Sequence, residues 1–394
     1  MSKQASLIQV LAVALLGVGA LSAFMGLPYL VGLLSDKLQL TEQQSGWLVS
    51  ADMIGICFIS LLAPLWLRRF RWGVFTPFML LIVVFVNAAS AFTESYSTLI
   101  LLRIIGGIAG GAIFTQAMVF LATGTHTERN IGIYAASATS WMCVCMIVMP
   151  LLSEQFGSVA GILFLAAIPL TCFVFLYWWP SEFVPDTAST PVSPQSLFSK
   201  PVCLALGCFI LFTANVGILW GFVERIGAEY KFPTVELGQA IALANFISIG
   251  GGLIAASLGN RWGHFKPLAF ALTIQAICLI IIAIYGGSFM LFTLVLSVYL
   301  LLWNFIDVFQ ISILMDVEPS GRAVGVVPAF ISVGTALGPV IATLFMWGEG
   351  FSSVVVMAAI LCGLTIATYG YLLSGQYAQK RILGAVEIME IKGA

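Results

Sequence analysis

Long apolar runs alternate with short polar breaks from one end of the chain to the other. Twelve runs reach about 20 residues or more, enough for an α-helix to cross a hydrocarbon layer of ~30 Å. They lie at approximately 6–34, 46–69, 73–93, 97–123, 131–155, 159–179, 202–226, 236–259, 266–286, 288–315, 321–347 and 352–375. The every-second-residue alternation of a membrane strand is absent. Six runs precede and six follow the stretch from Pro180 to Pro201, whose five prolines, with Ser, Thr and acidic residues, mark a polar linker. The pattern predicts an all-α membrane protein of twelve transmembrane helices. A six-helix bundle is expected over 1–179, a linker over 180–201, a second bundle over 202–375 and a tail over 376–394.

Two of the polar breaks are copies of each other. Arg71-Trp72-Gly73-Val74-Phe75-Thr76-Pro77 returns as Arg261-Trp262-Gly263-His264-Phe265-Lys266-Pro267, displaced by 190 positions with five of seven residues identical. A period of nearly half the chain predicts a duplicated unit with two pseudo-symmetric halves. Basic residues then set the expected orientation. With both termini cytoplasmic, Lys3, Arg68, Arg69, Arg71, Arg129, Lys200, Arg261, Lys266, Arg322, Lys380, Arg381 and Lys392 lie inside, and Lys37 and Lys231 outside. Both Arg-Trp-Gly copies become cytoplasmic loops, after helices 2 and 8. Gly73 and Gly263 are expected to permit tight turns there, and the arginines to cap helix ends or hold lipid phosphates.

Composition changes the picture only by exclusion. Hydrophobic residues make up 60% of the chain and charged ones 8%, too few charges to cover a soluble protein of this length. The net charge of −1 says nothing about nucleic acid. All eight cysteines lie in apolar runs without a CxxC pair, so neither a disulfide framework nor a metal site is expected. The apolar run from Leu7 to Leu34, preceded only by Lys3, reads as a span rather than a cleavable signal. No GxxxxGK[ST] loop, HExxH or nucleophile elbow is present, so neither ATP use nor an enzyme is expected, and no cofactor.

Charges inside spans are costly and mark candidate function. Asp52 on helix 2 and Arg103 on helix 4 lie at similar depth. One reading pairs them, with Asp52 exchanging a proton when substrate or conformation separates the two; a permanent structural ion pair is the alternative. Asp307 lies deep in helix 10 on a polar strip with Asn304 and Gln310. Glu224 and Arg225 stand near the outer end of helix 7, where they either gate the outer mouth or sit at the interface. Gln116, Asn215, Asn245 and Gln275 are further polar positions for a binding cavity. Trp141, Trp220 and Trp303 could supply stacking walls or act as packing. Gly106/Gly110 and Gly107/Gly111 form overlapping GxxxG pairs for close helix approach. His126, His264, Glu128 and Arg129 read as loop residues.

Twelve helices as six plus six, a central linker and a basic loop repeated after helices 2 and 8 resemble the major facilitator superfamily over the whole chain. The loop signature of that family, G-x-x-x-D-R-x-G-R-R/K, is followed in part. Ala256, Asn260, Arg261 and Gly263 stand at its Gly, Asp, Arg and Gly positions in the second copy. Trp66 and Phe70 replace Gly and Asp in the first, where Arg71 and Gly73 remain. Arg103, Gly107 and Gly111 resemble the helix-4 pattern R-x-x-x-G-x-x-x-G. The antiporter signature of helix 5 is mostly replaced by Met149-Pro150-Leu151-Leu152-Ser153-Glu154. Helix 11 carries a partial match in Gly334-Thr335-Ala336-Leu337-Gly338-Pro339.

The resemblance implies a secondary active transporter of the inner membrane, with two bundles rocking about a central cavity. Protons, a small-molecule substrate and membrane lipids are the expected partners, and the chain is expected to be monomeric. Some proton-coupled drug antiporters of the superfamily use acids on helices 7 and 10, which points to Asp307 and Glu224 as proton carriers beside Asp52 and Arg103. Export of a small amphipathic or drug-like compound is the leading expectation. Uptake of an organic anion by proton symport, with Arg103 or Arg225 clasping a carboxylate, is the alternative, and a non-transporting sensor a further one. Phe70 cannot act as the acidic latch of the first loop, so the resemblance assigns loop control mainly to Asn260 and Arg261.

Overall fold

Thr41 opens the second span: its hydroxyl accepts from the Gln44 N–H while the Gln44 side chain accepts from the Thr41 N–H. This reciprocal cap starts the helix at Glu42, earlier than the apolar run at 46, because capping rather than hydropathy fixes a helix start. The computed structural model describes residues 6–67, 69–122, 127–181, 199–259, 261–318, 323–344 and 351–393. Twelve helical spans lie among them. The pieces Leu7–Ala20, Ser22–Met25 and Leu27–Leu38 together make α1. Next come α2 (Glu42–Leu61), α3 (Trp72–Phe92), α4 (Tyr96–Ala122), α5 (Thr127–Phe156) and α6 (Ser158–Thr171, continued as a 3-10 turn over Cys172–Trp178). The second half supplies α7 (Lys200–Glu229), α8 (Thr234–Leu258), α9 (Phe265–Tyr285), α10 (Phe289–Val317), α11 (Val327–Leu344) and α12 (Ser352–Gly393). Ten of these are long and apolar enough to cross a membrane by themselves; the first piece of α1 and α11 are shorter.

Two spans depart clearly from the hydropathy reading. The expected single helix over 6–34 is interrupted at Leu21 and Gly26 and runs on to Leu38. Pro28 explains part of this, since it has no N–H to offer the carbonyl of Phe24. The last helix does not stop near 375 but continues to Gly393, because the polar residues beyond 375 end the apolar run without breaking the helix. Most of the linker (182–198), Arg68, His126, Asn260 and Arg322 lie outside the described residues.

The packing repeats with the sequence. Within the first half α2 packs on α4, α3 on α4 and α6, and α1 on α4, α5 and α6; the second half repeats these contacts between α8 and α10, α9 and α10 and α12, and α7 and α10, α11 and α12. Glycines make the closest crossings. A Cβ on Gly55 would strike the Ile104 carbonyl of α4, and one on Gly251, its counterpart, the Leu301 carbonyl of α10. The halves meet where α2 lies on α11, α5 on α8, and the last piece of α1 on α7.

The two Arg-Trp-Gly loops lie on one face of the molecule, called here the loop face, and they differ. Gly263 adopts φ +71°, a left-handed conformation suited to glycine. Gly73 instead begins α3 with an ordinary backbone, and its N–H donates to the Ser181 carbonyl at 3.0 Å. Its expected turn role is therefore replaced by close approach, since a Cβ there would lie 3.2 Å from that of Ser181. Arg71 and Arg261 are exposed on this face. His264 pairs with Asp316 at the end of α10.

Candidate functional site

A charged or amide side chain inside a span needs partners from neighbouring helices. The first half assembles such a network from five helices. Arg103, 1% exposed, donates through Nη2 to Asn87 Oδ1 at 2.8 Å. Asn87 in turn donates to Ser22 Oγ (3.0 Å) and to the Leu165 carbonyl (2.9 Å). Asp52, 4% exposed, faces the other guanidinium nitrogen, with Nη1 and Oδ2 3.7 Å apart. That separation is an ion pair but too long for a hydrogen bond, and both Asp52 Oδ2 and Arg103 Nε remain without a hydrogen-bond partner. A narrow crevice lined in part by Asp52, Asn87, Gly106 and Gly107 lies beside them.

The second half builds a neutral counterpart about 190 positions on. Asn215 donates to Gln275 Oε1 (3.2 Å), Tyr299 donates to Asn215 Oδ1 (3.1 Å), and Cys362 lies against Gln275. Helix for helix, Asn215 of α7 corresponds to Ser22 of α1, Gln275 of α9 to Asn87 of α3 and Cys362 of α12 to Leu165 of α6; Tyr299 lies on α10, the equivalent of Arg103's α4, but bonds to α7 where Arg103 bonds to α3. Sequence reasoning listed Asn215 and Gln275 as cavity residues and missed Ser22, Asn87 and Tyr299.

Asn215 and Gln275 are thus paired with each other inside the second bundle. Gln116 is fully buried too and accepts from Thr76 Oγ1 of α3 at 2.8 Å. Asn245 donates to the Ile241 carbonyl of its own helix. Asn304 ties α10 to α8 through Ser248, at 3.0 and 3.1 Å. Trp141 is half-buried against the core.

Asp307 has a different setting. Trp303 precedes it by one turn, and Asp307 Oδ1 is buried and unpartnered, as are both polar atoms of fully buried Gln310 one turn on. No cation is paired with Asp307 among the described residues. Trp303 also meets Trp220 edge-on, centroids 6.5 Å apart, beside an apolar crevice between α7, α8 and α10.

Opposite the loop face, on what is called here the far face, the halves are joined. Arg225 of α7 forms an ion pair with Asp36 of α1 at 2.5 Å and donates to the Gly32 carbonyl at 3.2 Å. Tyr29 donates to the Thr234 carbonyl at 2.6 Å. The Phe24 carbonyl, left open by Pro28, accepts from Trp220 Nε1 at 3.3 Å. Glu224 is buried against Gly32 with Oε2 unpartnered. Asp36, Tyr29 and Gly32 were not singled out in the sequence. The Arg225–Asp36 contact spans 189 positions.

Among the described residues no cluster of three His, Cys, Asp or Glu could hold a metal ion. No curated protein matches the chain significantly. Among solved structures it is similar to a mutant of the nucleoside transporter NupG, with TM-score 0.76 and 13% identity over 93% of this chain and 99% of that one. It is also similar to a bacterial homolog of the human lysosomal transporter Spinster in an inward-facing and occupied conformation (0.73, 15%, 95% and 98%). A third is the POT family transporter PepTSo (0.70, 13%, 94% and 98%). The profile of the Major Facilitator Superfamily matches residues 10–320. The chain therefore belongs to the major facilitator superfamily, a multi-pass secondary transporter and not an enzyme.

Proposed function

We propose that the protein is a proton-coupled exporter of small amphipathic compounds, weakly polar or cationic, with the loop face cytoplasmic in an inner membrane. The carrying observation is the distribution of charge inside the molecule. Arg103 is enclosed by Asp52 and Asn87, and Arg225 is engaged by Asp36 and the Gly32 carbonyl. Asp307 keeps an unpartnered carboxylate oxygen among tryptophans. The interior thus offers an acid without an available base, which suits a cation or a neutral aromatic compound and disfavours uptake of an organic anion.

An acid serving both a cationic substrate group and a proton binds one at a time, and that exclusivity is the basis of exchange. Two bundles joined on the far face suit a state open toward the loop face, from which substrate would be collected. The test is transport of tetraphenylphosphonium and ethidium, with benzoate as the anionic comparison, in proteoliposomes under an imposed pH gradient. The expected result is cation movement against proton movement, lost at least tenfold in Asp307→Asn. Stabilisation of the purified protein by either cation should fade at acidic pH. Benzoate-driven proton uptake, or coupling unchanged in Asp307→Asn, would sink the reading.

A further inference from the structure

We infer that Asp307, Gln310 and Tyr369 form a binding site for an alkali-metal cation, Na⁺, inside the second bundle. The inference goes beyond proton exchange and requires no substrate. Four buried polar atoms without a hydrogen-bond partner belong to these three side chains: Asp307 Oδ1, Gln310 Oε1 and Nε2, and Tyr369 Oη. Gln310 and Tyr369 are fully buried. Asp307 and Gln310 lie one turn apart on α10, close enough to share a ligand. Tyr369 approaches from α12 across the bundle interior, near enough for the Asp307 carboxylate to act on its hydroxyl, with Cys208 of α7 beside it. The equivalent helices of the first half, α1, α4 and α6, close over an apolar core that includes Leu16, Ile113 and Cys172. A bundle of this plan therefore packs without such groups.

A buried donor or acceptor left alone is unfavourable, and protein interiors keep such groups where an ion, a ligand or water meets them. The chemistry of this set selects among the three. Asp307, Gln310 and Tyr369 present oxygen atoms, which suit hard cations rather than metals that seek thiolate or imidazole. Among the described residues no Lys, Arg or His pairs with Asp307, so its ionised form supplies one uncompensated negative charge. A monovalent cation brings the pocket to neutrality. A divalent ion would leave a net positive charge within a membrane interior, where it is unfavourable. Water alone would satisfy the amide and the hydroxyl but leave the carboxylate charge unbalanced. The Gln310 amide N–H, which cannot bind a cation, can donate to the carboxylate and hold it in place. Na⁺ and a proton then compete for Asp307.

The test reads the unfolding midpoint of the purified protein in NaCl against choline chloride, at equal concentration and alkaline pH, with neither substrate nor gradient present. The expected result is a saturable rise of several degrees in Na⁺, weakened by acid and abolished in Asp307→Asn. Tyr369→Phe and Gln310→Met each remove a buried oxygen at nearly constant volume. In choline both variants should unfold at or above the wild-type midpoint, because a stranded polar group is gone. In Na⁺ they should lose most of the wild-type rise. Equal wild-type midpoints in Na⁺ and choline overturn the inference. So does a full Na⁺ response in both variants, which would leave the cation at Asp307 alone. A clear loss of stability by both variants in choline also overturns it, because the two groups would then be bonded within the protein. Exchange of tetraphenylphosphonium for protons is measured separately in Na⁺-free medium, so either conclusion can fail while the other stands.

Discussion

Arg103 and Tyr299 lie on equivalent helices, α4 and α10, in two polar networks, one charged and one neutral. This comparison bears on what the Asp52–Arg103 pair does. Removing one partner of a buried pair strands the other charge and costs about 3–5 kcal/mol, whereas replacing both with neutral groups of similar volume is often tolerated. Arg103→Ala is therefore expected to lower thermal stability sharply in detergent, as read by the unfolding midpoint. The double replacement Asp52→Asn with Arg103→Gln should recover most of the loss. If transport also survives in the double variant, the pair is structural and proton coupling falls to Asp307. In the sequence both residues stand out as charges within spans. Their amide and hydroxyl partners Asn87 and Ser22 do not, because a polar neutral residue in a span declares no partner.

At the level of elements, the interruption of α1 decides how the halves meet. Pro28 leaves the Phe24 carbonyl without its helical donor, and Trp220 from α7 fills the vacancy. Pro28→Ala would let α1 satisfy that carbonyl itself. The expected outcome is a weakened far-face junction, measured as a longer distance between spin labels at Gln43 and Gln239, exposed positions at the far-face ends of α2 and α8; an unchanged distance would assign the junction to the Arg225–Asp36 pair alone. The repeated loops make a second case. Gly263→Ala places a side chain at φ +71° and should cost about 1–2 kcal/mol. Gly73→Ala imposes no such backbone strain and only requires Ser181 to shift slightly. Comparing the two unfolding midpoints tests this asymmetry. The shared heptapeptide motif hides it, since one sequence pattern serves a left-handed turn in one copy and a tight linker contact in the other.

For the whole molecule, orientation and conformation are separable questions. A single cysteine in place of exposed Trp262, in a cysteine-free background, is expected to resist a membrane-impermeant maleimide added outside intact cells and to react in inverted vesicles; Gln43→Cys should show the opposite. The reverse pattern would overturn the cytoplasmic assignment of the loop face. Three of the polar contacts that cross between the halves make the far-face junction: Tyr29 to Thr234, Trp220 to Phe24 and Arg225 to Asp36; a fourth, from the Cys143 thiol of α5 to the Ala242 carbonyl, ties α5 to α8. The resulting junction joins residues about 190 or more positions apart, so local pattern carried no trace of it.

The sequence by itself determined the class and the repeat. Apolar runs of membrane-spanning length leave the backbone no solution but helices, and the duplicated Arg-Trp-Gly break divides them into halves. It also exposed the charges that a membrane interior must justify. Which of those charges are enclosed and which stand unpartnered was decided only by tertiary structure, because partners come from helices distant in the chain. Carboxylates serve as an ion-pair partner at Asp52, as an acid without a counter-ion at Asp307 and as a buried acid at the junction of the halves at Glu224. Helix packing, rather than residue identity, separates those roles.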